Sequence, residues 1–403
     1  MEPISRRSFL TKGLTGLSLA ATAPHFLSLS TRAFAGEPNG SDRILVVLQM
    51  SGGNDGLSMV VPFEDPAYGR ARRATAVRDP LKLGDGLGLH PELKATHALF
   101  GDGKLAIVRG VSYPNPNRSH FESMDIWHTG DLRGRASPTG WIGRAIDACC
   151  PNVSDPDLVV NIGKATPYAL EAKVHKPVSF ENPESYRWAG AAGDRDEFKK
   201  LNEDGGANEQ IRWLHRVAVD ARASSEKIRA AAAGYKPKAD YPRGQLAGDL
   251  RTVAALIHGG LPTRVYYVSF GGFDTHNGQP NRYANLMREL DPALGAFYGD
   301  LKAQGHLERV LVMSFSEFGR RVDENASGGT DHGVAGPMFL LGEGVKGGLF
   351  GTQPSLTELD DNGDMKMHVD FRSVYATVLD DWMRVSPGKV LDGRFPKIGL
   401  VNG

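Results

Sequence analysis

Asp274-Thr275-His276 offers a carboxylate oxygen and an imidazole nitrogen from one short loop, a donor pair that suits a Zn, Mn or Fe ion. It reads also as a structural Asp–His hydrogen bond. Further along the chain Glu317 and the pair Asp331-His332 add two more carboxylates and a second imidazole. Asp55 stands in the turn Ser51-Gly52-Gly53-Asn54-Asp55-Gly56, where it reads equally as a ligand or as the cap of whatever follows. Carboxylates gathered in one place repel unless a cation neutralises them, so one divalent metal is expected and a second is admissible. Two ions about 4 Å apart would clamp both oxygens of an in-line displacement at phosphorus or sulfur. Arg118-Ser119-His120 adds a different chemistry. A helix starting there points free N–H groups at an anion, and a guanidinium beside it grips phosphate or sulfate with two hydrogen bonds. Ser119 as an ordinary cap with His120 on the surface accounts for the same residues.

These groups need elements to hold them, and the apolar runs supply them. Arg43 to Met50 carries the continuous run Ile44 to Leu48, the pattern of a strand buried on both faces of a parallel sheet, and Lys104 to Val111 with Leu105 to Val108, Val265 to Phe270 and Arg309 to Phe315 are further strongly apolar strands. Asp55, Asp274 with His276, and Glu317 each follow such a run, whereas Asp331 and His332 precede the run Pro337 to Leu341. Open α/β sheets bind ligands at the carboxyl ends of their strands. Leu158 to Ile162 is a shorter candidate strand. Ser119 to about Thr129 has helical spacing, with Phe121, Met124 and Trp127 or His128 on overlapping faces. Leu246, Leu250, Val253 and Ile257 form a second apolar helical stripe, and Leu290, Leu294, Phe297 and Leu301 a third. Asp370 reads as the N-cap of a final helix carrying Phe371, Val374, Val378 and Trp382 inward. Glu181 to Tyr241 is charged and alanine-rich, the text of a helical insertion.

The 403 residues, 40% hydrophobic and 23% charged, suit one large α/β domain with insertions. Lys plus Arg and Asp plus Glu both count 47, so no overall basic field favours nucleic acid. Residues 1–35 read as an export signal: Ser5-Arg6-Arg7-Ser8-Phe9-Leu10 is a twin-arginine pattern, the run Leu14 to Leu29 is mildly apolar, and Ala33-Phe34-Ala35 offers a cleavage site. That signal implies a bacterial chain carried out already folded by the twin-arginine machinery, to a periplasmic or secreted location. No later apolar run reaches membrane-spanning length. Cys149 and Cys150 are adjacent, a spacing that does not favour an unstrained disulfide, so a fold without bridges is expected.

Taken in order, Ser51 to Gly56, Asn117-Arg118-Ser119-His120-Phe121, Gly272 to His276, Ser316-Glu317-Phe318-Gly319-Arg320 and Gly329 to Gly333 resemble the exported family labelled domain of unknown function 1501. That family is similar to the alkaline phosphatase, sulfatase and cofactor-independent phosphoglycerate mutase superfamily. The resemblance implies a three-layer α/β/α sandwich with a mostly parallel sheet, spanning residues 41–403 and carrying the insertion 181–241. It also implies a ligand set: Asp274, His276 and His332 for one metal, Asp55 and Glu317 for a poorer second, with Phe318 where the superfamily has a His. Asp331 is then a ligand or the partner that orients His332. The attacking group falls at His120 or, one residue off, at Ser119, with Arg118 gripping the anion.

The expected protein is thus an exported hydrolase of phosphate or sulfate esters using Zn, Mn or Ca, on a small or polymeric substrate. The alternative is a non-catalytic envelope binding protein that keeps the metal.

Overall fold

The computed structural model describes residues 42–151, 153, 155–187 and 209–402. The twin-arginine stretch and its cleavage site lie outside the described residues, as do positions 188–208 of the expected insertion. Residues Glu209–Gly234 of that insertion form a helix.

Strand β1 (Ile44–Met50) is followed by a small sheet of β2 (Val60–Val61), β3 (Leu81–Gly84) and β4 (Leu87–Leu89), then by β5 (Leu105–Ser112). β6 (Val159–Ile162), β7 (Val178–Phe180), β8 (Val265–Phe270) and β9 (Val310–Phe315) come next. A short hairpin, β10 (Arg320–Glu324) and β11 (Thr330–His332), leads into β12 (Gly336–Leu341), β13 (Gly348–Phe350) and β14 (Val369–Asp370). The main sheet has nine strands in the order β13-β5-β12-β9-β1-β8-β6-β7, with β14 also on β5. β1 pairs in parallel with β8 and β9, at Val46↔Tyr266 and Val46↔Val312. β12 alone runs the other way, antiparallel to both β5 and β9.

The continuous apolar text of β1 follows from its place at the centre. Ile44, Val46, Leu48 and Met50 face one layer, with Leu250, Val253 and Ile257 of helix Gln245–His258 and Leu290, Leu294 and Phe297 of helix Gln279–Ala303. Leu45 and Val47 face the other, with Trp127, Trp141, Ile142, Val374 and Trp382. Helices on both faces of a mostly parallel sheet make the expected three-layer α/β/α sandwich. Among the described residues no helix is long and apolar enough to cross a membrane.

Three local readings change. The stretch between Phe315 and Pro337 contains the β10–β11 hairpin, which pairs Arg320 with His332. Phe121 does not share the face of Trp127 and His128: it is 85% exposed, while Ile126, Trp127 and His128 further along the helix are buried. Cys149 and Cys150 are joined by a disulfide, contrary to the expectation of no bridge. Because it links neighbours in sequence, this bond closes no loop and adds little chain-entropy stabilisation.

Candidate metal centre

Strand order explains why the distant motifs meet. β5, β12, β9, β1 and β8 are consecutive neighbours, about 4.8 Å apart from one to the next. The loops after β1, β8 and β9 therefore emerge side by side at one edge. β12 is antiparallel and starts at that same edge, so the hairpin that precedes it arrives there too. The chain leaving β5 brings in the helix His120–Thr129.

The loops press together backbone to backbone. Phe273 N donates to the Ser51 carbonyl at 3.2 Å, and Thr330 N donates to the Thr275 carbonyl at 3.2 Å. Gly52 has φ +120°, and a Cβ there would stand 2.4 Å from Asp274 N. Only glycine fits that conformation and that approach.

At the meeting point Asp274 Oδ1 lies 3.1 Å from His276 Nε2, 3.2 Å from His332 Nε2 and 3.7 Å from His120 Nε2. His276 Nε2 and His332 Nε2 are 2.9 Å apart. Among the described residues, His120, Asp274 and His332 offer ligand atoms all within 4.8 Å of one another, a possible three-residue metal site. Each ring is oriented by its other nitrogen. His120 Nδ1 donates to Glu317 Oε1 at 2.8 Å, His276 Nδ1 to Asp331 Oδ1 at 3.1 Å, and His332 Nδ1 to the Arg118 carbonyl at 2.9 Å. With Nδ1 carrying the proton, the neutral ring turns its Nε2 lone pair into the cluster. Lone pairs and a carboxylate converging on one point are complementary to a cation. Bonds of about 2.0 to 2.2 Å in a tetrahedron place ligand atoms about 3.4 Å apart, close to the spacing seen here.

Burial and hydrogen bonding set the charges of these groups in the absence of an ion. Partial burial alone would raise the Asp274 carboxyl, but the Arg320 guanidinium bonded to it brings it down to about 2. The Glu317 hydrogen bond raises His120 against the opposing effect of burial. Glu317 is itself held below its ordinary range: burial pushes it up, but His120 and the amides of Gly52 and Gly53 outweigh that. Burial lowers His332.

The structure gives several expected residues other partners. Asp55 occupies the N-cap position of the short helix Gly56–Met59, with no side-chain capping bond. It is fully buried and takes two hydrogen bonds from Arg72, at 2.7 and 3.1 Å, with further donors in Ser58 and Gln279. Its oxygens are committed to an internal ion pair. Glu317, 2% exposed, accepts from Gly52 N at 2.9 Å as well as from His120, so it orients a ring. Asp331 meets His276, not His332. Phe318 is buried, its ring tilted against both imidazoles at 4.9 Å from His120 and 4.7 Å from His332. Ser119 occupies the N-cap position without a side-chain capping bond, its own amide donating to Asn117 Oδ1 at 2.7 Å. The Arg118 guanidinium donates to Asp364 at 3.1 Å.

Two arginines and a glutamine escaped the sequence reading. Arg320 is fully buried and ties three loops together. Its Nε donates to the Gly53 carbonyl at 2.7 Å, Nη1 to the Thr330 carbonyl at 2.8 Å, and Nη2 to Asp274 Oδ1 at 2.6 Å. It stood in the Ser316–Arg320 motif, but nothing there separates it from the half-buried Arg321 beside it. Arg72 lies in an unremarkable surface-like run, Arg70-Ala71-Arg72-Arg73. Gln279 opens a helix and accepts from Thr275 and Thr330 while donating to Asp55. No local signal marked either residue.

The sequence pattern of the family described as "Protein of unknown function (DUF1501)" matches residues 110–395. None of the curated proteins matches the chain. Among solved structures, Ps i-CgsB in complex with k-i-k-neocarrahexaose is similar with a TM-score of 0.43 and 10% identity, over 87% of this chain and 74% of that one. The PsFucS1 sulfatase from Pseudoalteromonas sp. gives 0.41 and 12%, over 93% and 74%. A protein in the alkaline phosphatase superfamily from Vibrio parahaemolyticus gives 0.36 and 11%, over 88% and 68%. These likenesses are too distant to bear on chemistry.

Proposed function

The chain belongs to the DUF1501 family, and from that premise we propose that it is a metal-dependent hydrolase of phosphate or sulfate esters. One divalent cation would be held by His120, Asp274 and His332, with His276 beside them. One observation carries this reading: the Nε2 atoms of the histidines crowd around Asp274 Oδ1 while every Nδ1 is occupied elsewhere. A nitrogen-rich set suits Zn or Mn better than Ca, which prefers oxygen ligands throughout. When bound, such a cation supplies Lewis-acid polarisation of an ester oxygen or lowers the pKa of a water.

The chain's own groups do the rest. Arg320 fixes Asp274 and keeps it ionised, and Glu317 fixes His120. His120 has both ring nitrogens engaged, which leaves Ser119 as the candidate attacking group. Arg118 is paired with Asp364 and its side chain is 37% exposed, which leaves N–H groups for an anionic oxygen. The twin-arginine pattern makes the same protein periplasmic or secreted, delivered by that machinery to a small or polymeric ester.

A second reading, a metal-containing binding protein without turnover, is favoured by the loss of the second ion's acids. Asp55 is bound to Arg72 and Glu317 to His120, and among the described residues no base hydrogen-bonds the Ser119 hydroxyl. Elemental analysis of the purified protein, followed by a panel of aryl phosphates, diesters and sulfates with Zn or Mn, tests both. Turnover that falls at least about 10- to 100-fold in His276→Ala supports the hydrolase. Stoichiometric metal with no turnover selects the binding protein, and absence of metal in a correctly folded protein sinks both.

A further inference from the structure

We infer that Gln279 is a positioning residue for the metal centre: its buried amide clamps the Asp274–His276 loop to the strand that carries His332, and so sets how far apart the ligands stand. This inference rests on reading the cluster as a metal centre, with or without turnover.

Gln279 Oε1 accepts from the Thr275 hydroxyl at 3.0 Å and from the Thr330 hydroxyl at 2.7 Å. Thr275 stands between Asp274 and His276, and Thr330 opens β11 two residues before His332. A single oxygen atom thus ties together the two segments that supply every clustered group except His120. Both threonines and Gln279 are buried, so a hydroxyl deprived of this acceptor is left unsatisfied. The backbone adds to the clamp, with Gln279 N donating to the Gly328 carbonyl of the hairpin at 2.9 Å.

The amide fits only one way round. Its Nε2 donates to Asp55 Oδ2 and to Ser58 Oγ, the latter at 3.2 Å. Asp55 is ion-paired with Arg72, and a carboxylate only accepts, so the amide nitrogen must face it and the oxygen must face the threonines. The buried Asp55–Arg72 pair, which lies outside the ligand set, thereby orients the clamp. An asparagine at position 55 keeps an oxygen for the Gln279 bond and leaves the clamp in place.

The mounting is rigid as well. Gln279 begins the helix Gln279–Ala303, whose Tyr283, Met287 and Leu290 are buried in the core on one face of the sheet. Groups fixed to a packed helix are held more closely than groups on loops alone. Spacing matters because His276 Nε2 and His332 Nε2 stand 2.9 Å apart across this joint. Metal–ligand bonds tolerate only about 0.2 Å, so slack between the two segments is felt as lost affinity.

The test measures Zn and Mn affinity, by competition with a chelating dye, in wild type, Gln279→Met, Thr330→Val, Thr330→Ser and the Gln279→Met/Thr330→Val double variant. Methionine keeps the length of the side chain without its amide, valine keeps the shape of threonine without its hydroxyl, and serine restores the hydroxyl. Affinity is expected to fall about 10- to 100-fold in Gln279→Met and about 3- to 10-fold in Thr330→Val, to recover in Thr330→Ser, and to fall no further in the double variant. Val374→Ala, in the core on the opposite face, should lower the unfolding midpoint and keep wild-type affinity, which separates positioning from general loss of stability. Wild-type affinity in Thr330→Val, no recovery in Thr330→Ser, full additivity in the double variant, or an equal loss in Val374→Ala overturns the inference. The Thr330 pair decides even where Gln279→Met does not fold. Should wild type bind no metal, the metal reading fails and amide hydrogen exchange reads the clamp directly, at Thr330 N, which donates to the Thr275 carbonyl at 3.2 Å. Faster exchange there in Thr275→Val than in Thr275→Ser then upholds the clamp, and equal exchange sinks it.

Discussion

An imidazole presents to a metal whichever nitrogen its surroundings leave unprotonated, and three rings here are set the same way by three different acceptors: Glu317, Asp331 and the Arg118 carbonyl. Removing a ligand should therefore differ from removing a buried charge. Asp274→Asn and His332→Ala are expected to lower bound metal from about one equivalent to a small fraction, read by elemental analysis after desalting. Asp55→Asn should keep the metal and instead lose about 3 to 5 kcal/mol in denaturant unfolding, because Arg72 is left buried without its partner. Loss of metal in Asp55→Asn with stability intact would reverse the assignment.

His128, in the core, gives a pH signature of its own. It is buried against Gln49 and Tyr267, and burial lowers its pKa from 6.5 to about 4. Below about 6.5 the unfolded chain takes up a proton that the folded one refuses until about 4. The stability contributed by the neutral ring is thus complete above 6.5 and falls as pH drops through that window. Asp249, raised to about 7 by burial, works in the opposite sense, so the comparison must be between variants. The stability gap between wild type and His128→Gln should shrink by about 2 kcal/mol from pH 7 to pH 5. A constant gap in chemical denaturation across that range would refute the buried neutral state.

At the scale of elements, the antiparallel strand β12 and the glycine turn after β1 do most to gather the cluster. β12 turns the chain so that a residue preceding a strand reaches the edge where the others follow theirs. Gly52 lets the β1 and β8 loops touch, with no room for a methyl group beside Asp274 N. Gly52→Ala is expected to destabilise the fold by at least about 1 to 3 kcal/mol and to weaken metal binding together with stability. A variant with unchanged unfolding midpoint and full metal content would show that the loops need no such approach.

For the whole molecule, binding and folding are linked, since unfolding scatters ligands that lie far apart in sequence. Adding Zn or Mn to a thousandfold excess over its Kd should raise the unfolding free energy by about 4 kcal/mol, and chelation should reverse the gain. His332→Ala should not respond. An identical response in wild type and His332→Ala would place the metal elsewhere.

The strands and the loops that bear the candidate ligands were legible in the sequence. A strand buried on both faces is written as a mostly apolar run, and residues 45–48 of β1, 105–108 of β5, 265–268 of β8 and 310–313 of β9 all are. The glycines and acids that follow such runs mark a carboxyl edge without any knowledge of neighbours. The sequence could not say that Asp55 would be taken by Arg72, that Glu317 would hold a histidine, or that Arg320 would be the buried arginine of an adjacent pair. Nor could helical spacing say that Phe121 would face solvent, because periodicity identifies a face and only packing decides how wide it is. Local text fixes backbone form. Which oxygen meets which nitrogen depends on strand order and on contacts between residues hundreds of positions apart, and these exist only once the chain has folded.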